Sequence, residues 1–190
     1  MDKIFYSLKG FWSFLKKDTW QSWIVSLVLA FIFIKFIFFP LLSWALATPL
    51  PLVVVESCSM YHAPAFDSWW ASNGGWYENR GISQEEFREF SFKNGLNKGD
   101  IVLVTGRGGY DVGDIIIFNS NYRYPLIHRL IRVEPYDTKG DNNPSQLPAE
   151  LDIAQEQIVG KSLARVPGLG WIKLIFFEGI KPEGQRGFCK

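Results

Sequence analysis

Histidine and cysteine are both scarce in this chain, with two residues of each. Two thiols are too few for the disulfide framework of a small secreted scaffold, and no grouping of Cys and His has zinc-ligand spacing, so neither a framework nor a metal site is expected. An excess of one charge is also lacking: 20 Lys and Arg face 19 Asp and Glu, for a net charge of +1. Such a chain has no field to draw it onto nucleic acid by counterion release, and a nucleic-acid partner is not expected. No Gly-rich turn leads into Lys-Ser or Lys-Thr and a helix, which argues against a phosphate-binding loop, and no cofactor is expected. With 190 residues the chain suits one globular domain beside a membrane segment, since two full domains would each lack a sizeable core. Aromatic residues are plentiful, with eight Trp and 16 Phe, and they serve either a dense core or a surface at lipid-headgroup level.

One long apolar run is present. From Trp20 to Thr48 the sequence reads WQSWIVSLVLAFIFIKFIFFPLLSWALAT, with Lys35 the one charge. About 25 apolar positions are enough to cross a bilayer once. Lys35 costs roughly 2.5 to 3.5 kcal/mol at mid-depth, which the surrounding Leu, Ile and Phe outweigh. Pro40 is expected to bend or loosen the distal third. Lys3, Lys9, Lys16 and Lys17 precede the run, whereas no Lys or Arg follows Thr48 until Arg80. The positive-inside rule then places residues 1–20 in the cytoplasm, residues 21–48 in the membrane as a single-pass anchor, and residues 49–190 on the far side. A cleavable signal peptide is the competing reading, because Ala45-Leu46-Ala47 has the small-x-small form of a cleavage site.

Beyond the anchor, Leu52, Val53, Val54 and Val55 form a short β-branched stretch ending near Ser57 and Ser59. Residues 63–97 are rich in aromatics and glycine and read as an insertion. Ser83-Gln84-Glu85-Glu86 within it has the capping-box pattern and predicts a helix through about Phe90. Strands are predicted over Ile101–Thr105, Asp114–Asn119, Leu126–Val133 and Gln157–Val166, separated by Gly, Asn and Pro. The expected fold is mainly β: a small antiparallel β-fold with an N-terminal transmembrane helix and a small α-containing insertion. Residues 167–180 are apolar but too short to span, and serve as a packing segment or an interfacial foot.

The candidate chemistry lies in Ser57-Cys58-Ser59-Met60, Ile127-His128-Arg129 and Lys139-Gly140-Asp141-Asn142-Asn143. A serine hydroxyl becomes a nucleophile when a base takes its proton, an imidazole can do so near neutral pH, and a carboxylate can hold the ring in the right tautomer. Together with the anchor and the Gly-Asp-Ile runs at Gly99 and Gly113, these motifs resemble the type I signal peptidase family, in its archaeal and endoplasmic-reticulum branch. The resemblance implies Ser59 as nucleophile, His128 as base where the bacterial branch carries lysine, and Met60 lining the site. Ser57 and the Ser59 backbone amide would form the oxyanion hole. Arg129, on the opposite strand face, is structural, and His62 reads as a solvated loop residue. Lys139 and Lys161 are conceivable bases, but neither stands at the matching position.

The acid is open. Asp141 matches the Gly-Asp-Asn-Asn box and ranks first; the second Asp common in this branch is replaced by Leu147, so Asp152 ranks next, with Glu150 close by. Cys58 replaces a frequent glycine and reads as a small buried spacer. The implied activity is removal of signal peptides from exported preproteins on the trans side of a cell or endoplasmic-reticulum membrane. Substrate would lie as an extended strand beside Leu52 to Val55. The lipid bilayer and the Sec translocon are the implied partners, and Ala45-Leu46-Ala47 becomes a candidate self-cleavage site. Two other classes remain: a serine-lysine autoprotease of the SOS-repressor type, and a non-catalytic anchored β-domain.

Overall fold

The computed structural model describes residue 10 and residues 12–63 and 65–189. Lys3 and Lys9, which contribute to the expected orientation, lie outside these residues. The chain divides into one unit up to Ala45 and another from Leu46 onward.

Helix α1 (Trp20–Leu46) starts at Thr19, whose hydroxyl accepts from the Ser22 amide and satisfies one of the free N–H groups of the first turn. Its apolar window has a mean hydropathy of 2.6, long and apolar enough for a membrane span or a signal sequence. Pro40 has no N–H to offer the preceding turn, and a π-type turn, Ile34–Phe38, ends two residues before it. Lys35 Nζ lies 5.4 and 5.7 Å from the Phe36 and Phe31 ring centroids, where the ring faces attract its charge.

The second unit is a curled six-stranded antiparallel sheet. Its strands are β1 (Leu52–Val54), β2 (Ile101–Thr105), β3 (Ile115–Phe118), β4 (Leu126–Arg132), β5 (Asp137–Lys139) and β6 (Ile158–Val166), in spatial order β1-β2-β6-β3-β4-β5. Central β3 explains its own sequence. Ile115 and Ile117 enter a core with Val55, Met60, Leu96, Val102, Val104 and Val159, while Ile116 and Phe118 enter another with Leu130 and Ile153. Both faces are covered, so the strand reads as an unbroken apolar run. Register shifts at Leu103/Val104, Ile117/Phe118 and Leu130/Arg132 supply the bulges that bend such a sheet.

Two elements depart from the sequence expectation. Residues Phe66–Glu78 form a helix, α2, despite Gly74 and Gly75. Glycine disfavours a helix interior, but a Cβ at Gly74 would overlap the indole of Trp70 one turn earlier in the same helix, so the placement of that ring selects it. Trp69, Trp70 and Tyr77 of α2 pack with Phe66, Ile82 and Phe87 into a third core, which α3 (Gln84–Glu89) completes, its amino end capped by Ser83. The other departure is β5, Asp-Thr-Lys, which has no apolar residue and yet is wholly buried.

At the far end of the chain, helix α4 (Trp171–Leu174) buries Leu174, and the Trp171 indole donates to the Lys98 carbonyl at 3.1 Å. Ile172, Ile175, Phe176 and Ile180 stay exposed. The tail then folds back, and Cys189 is disulfide-bonded to Cys58. Cys58 is therefore no buried spacer: it is half-buried and covalently engaged. The two cysteines are 131 residues apart. A closure of that length restricts the unfolded chain by up to about 5 kcal/mol on the chain-entropy model. Cys189→Ser is expected to lower the thermal midpoint in non-reducing buffer, and reductant should lower that of the wild type alone.

Candidate active site

The nucleophile candidate lies just past the sheet edge. Strand β1 pairs with β2, and its continuation is pinned by Val55 N–H on the Asp100 carbonyl and Gly99 N–H on the Val55 carbonyl. The chain then turns, with Tyr61 N–H on the Cys58 carbonyl, so Ser57 and Ser59 belong to a turn and not to one strand face. Ser57 Oγ is 3.1 Å from Ser59 Oγ. It therefore contacts the Ser59 hydroxyl itself, where the sequence reading placed it beside the Ser59 amide.

His128 is carried by β4, opposite Ile116 of β3, and is 3% exposed. Its Nε2 lies 3.0 Å from Ser59 Oγ. Its Nδ1 lies 2.6 Å from Glu150 Oε1, a contact at ion-pair distance that lacks the alignment of a regular hydrogen bond. Glu150 is fully buried at the end of the 3-10 turn Pro148–Glu150. Its Oε1 also accepts from Gly140 N–H at 2.8 Å, and its Oε2 accepts from Leu147 N–H. A carboxylate at Nδ1 selects the tautomer that leaves Nε2 free to accept the serine proton. A methyl group on Gly140 would come within 2.9 Å of His128 Nε2, so this position must stay bare for the ring to hold its place. No family model and no curated protein matches this chain.

The acid beside His128 is Glu150, and neither Asp141 nor Asp152. Asp152 is exposed, and its carboxylate lies 3.7 Å from Arg132. Asp141 is fully buried in another network. Arg129 donates to both of its oxygens, from Nε at 3.0 and 3.2 Å and from Nη2 at 2.8 Å. Tyr77 Oη donates to Oδ1 at 2.8 Å, and His62 Nε2 lies 2.9 Å from Oδ2. His62 is not a solvated loop residue: its ring is buried and stacked on Trp69 at 3.7 Å. Burial alone would raise the Asp141 carboxyl, but the Arg129 charge and the His62 and Arg129 hydrogen bonds outweigh it and hold the group well below the carboxylate range. Burial, followed by the Asp141 charge, holds the Tyr77 phenol well above its usual value, so it stays a neutral donor.

This network supports the turn that carries Ser57 and Ser59. Asp141 N–H reaches Met60 Sδ at 3.4 Å, and Asn142 N–H donates to the Ser59 carbonyl at 2.7 Å. Met60, expected to line the site, is instead 1% exposed and belongs to the core. Leu52 is exposed, Val53 and Val54 are half-buried, and Val55 is buried. Among the described residues strand β1 is an edge of the sheet, paired with β2 on one side, so its other side can accept a further strand. Of the lysines, Lys161 pairs with Asp114 at 2.7 Å, and Lys139 Nζ is taken up by backbone carbonyls.

Tyr77 and the pairing role of His62 escaped the sequence reading, and Glu150 was noted beside Asp152 but not ranked as the acid. A Pro-Ala-Glu turn nine residues past Asp141 is a weak signal, and only the fold brings it back to His128. An Arg129–Asp141 pair without solvent is strongly destabilised when one partner is removed, by about 3 to 5 kcal/mol. Because the folded Asp141 carboxyl lies below its unfolded value of about 3.9, this stabilisation is full at neutral pH and is lost progressively as pH falls from that unfolded value toward the depressed folded one. Denaturant titration should show Asp141→Asn several kcal/mol less stable at pH 7, with the gap closing only in strong acid.

Proposed function

We propose that this chain is a membrane-anchored serine endopeptidase that removes amino-terminal signal peptides from exported preproteins, as type I signal peptidases of the archaeal and endoplasmic-reticulum branch do. The observation that carries this reading is the 3.0 Å contact between Ser59 Oγ and His128 Nε2, with Glu150 at the other ring nitrogen.

Ser59 attacks the scissile carbonyl while His128 Nε2 takes its proton. The Glu150 charge stabilises the imidazolium that forms. The Ser57 hydroxyl lies close enough to the attacking oxygen to donate to the developing oxyanion, joined by the Ser59 backbone N–H. His128 then returns the proton to the leaving amine, and an acyl-enzyme on Ser59 remains. A water deprotonated by the same nitrogen releases it. No step requires a cofactor or metal.

Substrate fits as an extended strand along the open side of β1. The half-buried Val53 and Val54 leave shallow relief there, which favours small side chains before the cut. The apolar helix supplies the anchor, and tethering both enzyme and substrate to one bilayer raises their effective concentration. The exposed Ile172, Ile175 and Phe176 suit a lipid-headgroup surface. The Cys58–Cys189 disulfide suits an oxidising compartment, in keeping with a catalytic domain outside the cytoplasm. The chain's own Ala45-Leu46-Ala47 sequence is a poor substrate as folded. Ala47 has φ of 52°, and the Leu46 carbonyl accepts from both Gly106 N–H and Thr105 Oγ1.

Incubating the full chain in liposomes with a preprotein bearing a small-x-small site tests the reading. Wild type should cut, Ser59→Ala and His128→Ala should not, and activity should rise over the range in which an imidazole loses its proton. Glu150→Gln should lose about 100- to 10,000-fold in kcat/KM by analogy with triad acids, while Asp152→Asn stays at wild-type level. A wild type inert toward several preproteins sinks the proposal. An active His128→Ala that needs high pH assigns the base to a lysine.

A further inference from the structure

Lys139 is 1% exposed and ends β5, directly across the ladder from Arg129. Its Nζ donates to the carbonyls of Asn143 at 2.6 Å, Gly140 at 3.0 Å and Asp141 at 3.4 Å. An ammonium has three N–H bonds, and here all three are spent on one short turn. Trp76 and Tyr77 of α2 close over the charge, with ring centroids 5.0 and 5.3 Å from it.

The turn gathered by Lys139 touches both halves of the proposed catalytic pair. Gly140 N–H fixes the Glu150 oxygen that faces His128 Nδ1. Asn142 N–H holds the Ser59 carbonyl at 2.7 Å, and its side-chain amide holds the Cys58 carbonyl at 3.2 Å. The distance between nucleophile and base is therefore set by the shape of residues 140–143.

We propose that Lys139 is a positioning residue for the hydrolysis, its ammonium drawing three carbonyls inward so that one turn presents Glu150 to His128 and fixes the backbone of Ser59. This inference rests on the reading of Ser59 and His128 as nucleophile and base.

A pH signature separates this role from mere support. Burial first, and the Arg80 charge, lower the Lys139 pKa to about 8 against the opposing pull of Asp141 and Glu150. Arg129 faces it from β4, and Tyr77, a neutral phenol, from α2. Above pH 8 the amine keeps two N–H bonds and no charge, so a carbonyl is released and the turn loosens. The unfolded lysine holds its proton to about pH 10.4, so between those values the folded state binds fewer protons and the linkage term stabilises the fold as pH rises. Activity should fall in the window where this group's contribution to stability grows.

The test uses the full chain in nanodiscs, comparing wild type, Lys139→Met and Lys139→Arg from pH 6 to 10. Three readouts are preprotein cleavage, thermal midpoint and NMR of labelled histidine, which yields signals from His62 and His128 alone. Wild-type kcat should drop above pH 8. Lys139→Met should lose about 100-fold in kcat at pH 7 with KM little changed, show no further alkaline drop, and shift the His128 signals. Lys139→Arg, charged throughout, should recover part of the kcat and hold it to pH 10. Wild-type rates in Lys139→Met overturn the proposal, and so does a loss of activity that leaves the alkaline drop and the His128 signals in place. If wild type cuts no preprotein, the peptidase reading falls; the His128 signals still decide the positioning claim, since signals unmoved in Lys139→Met overturn it.

Discussion

The buried ion pair of Arg129 and Asp141 is the contact on which the other parts converge. Arg129 also donates to the carbonyls of Ser91, Phe92 and Gly113, so one guanidinium joins β4, the end of the insertion and the entry to β3. Asp141 collects Tyr77 from α2 and His62 from the segment just past the Ser57–Met60 turn. A full charge without water is costly, and only this density of partners makes it tolerable. The aromatic insertion is thus no appendage. Its Trp69 and Tyr77 complete the burial of the pair and present a ring to His62.

Two carboxylates stand on either side of Gly140, with separate duties. Asp141 is saturated by a cation and two further donors, which leaves it no part in moving protons. Glu150 is held by two backbone amides and offers its remaining capacity to an imidazole. A hydrogen-bonded carboxylate beside Nδ1 would stabilise an imidazolium formed at His128. The same division separates the two histidines: His62 is stacked and paired with Asp141, whereas His128 meets a hydroxyl.

Much of the sheet was legible because its strands announce themselves locally. β2, β3, β4 and β6 are β-branched runs bounded by turn residues, and the observed limits differ from the expected ones by at most a residue at either end. β5 was not legible, because Asp-Thr-Lys is buried for its polar contacts and carries no apolar pattern. Helix α2 was hidden by its own glycines, one of which exists to admit Trp70. At the site, the meeting of Ser59 and His128 was legible only through the resemblance that their motifs carry, since spacing alone does not pair them. The acid was not legible, since a turn following a loop decides whether Asp141, Glu150 or Asp152 reaches the ring. Cys58 was opaque for a similar reason: its partner is separated from it by most of the domain.

That pairing makes the domain a covalent ring. The loop closed by Cys58 and Cys189 contains β2 to β6, the insertion and Ser59, while α1 and β1 enter from outside it. A single backbone cut anywhere inside the ring, for instance in the exposed stretch from Asn121 to Tyr124, releases no fragment. Both pieces stay joined to each other and to the apolar helix. The molecule would in this way survive a nick as one tethered, intact assembly.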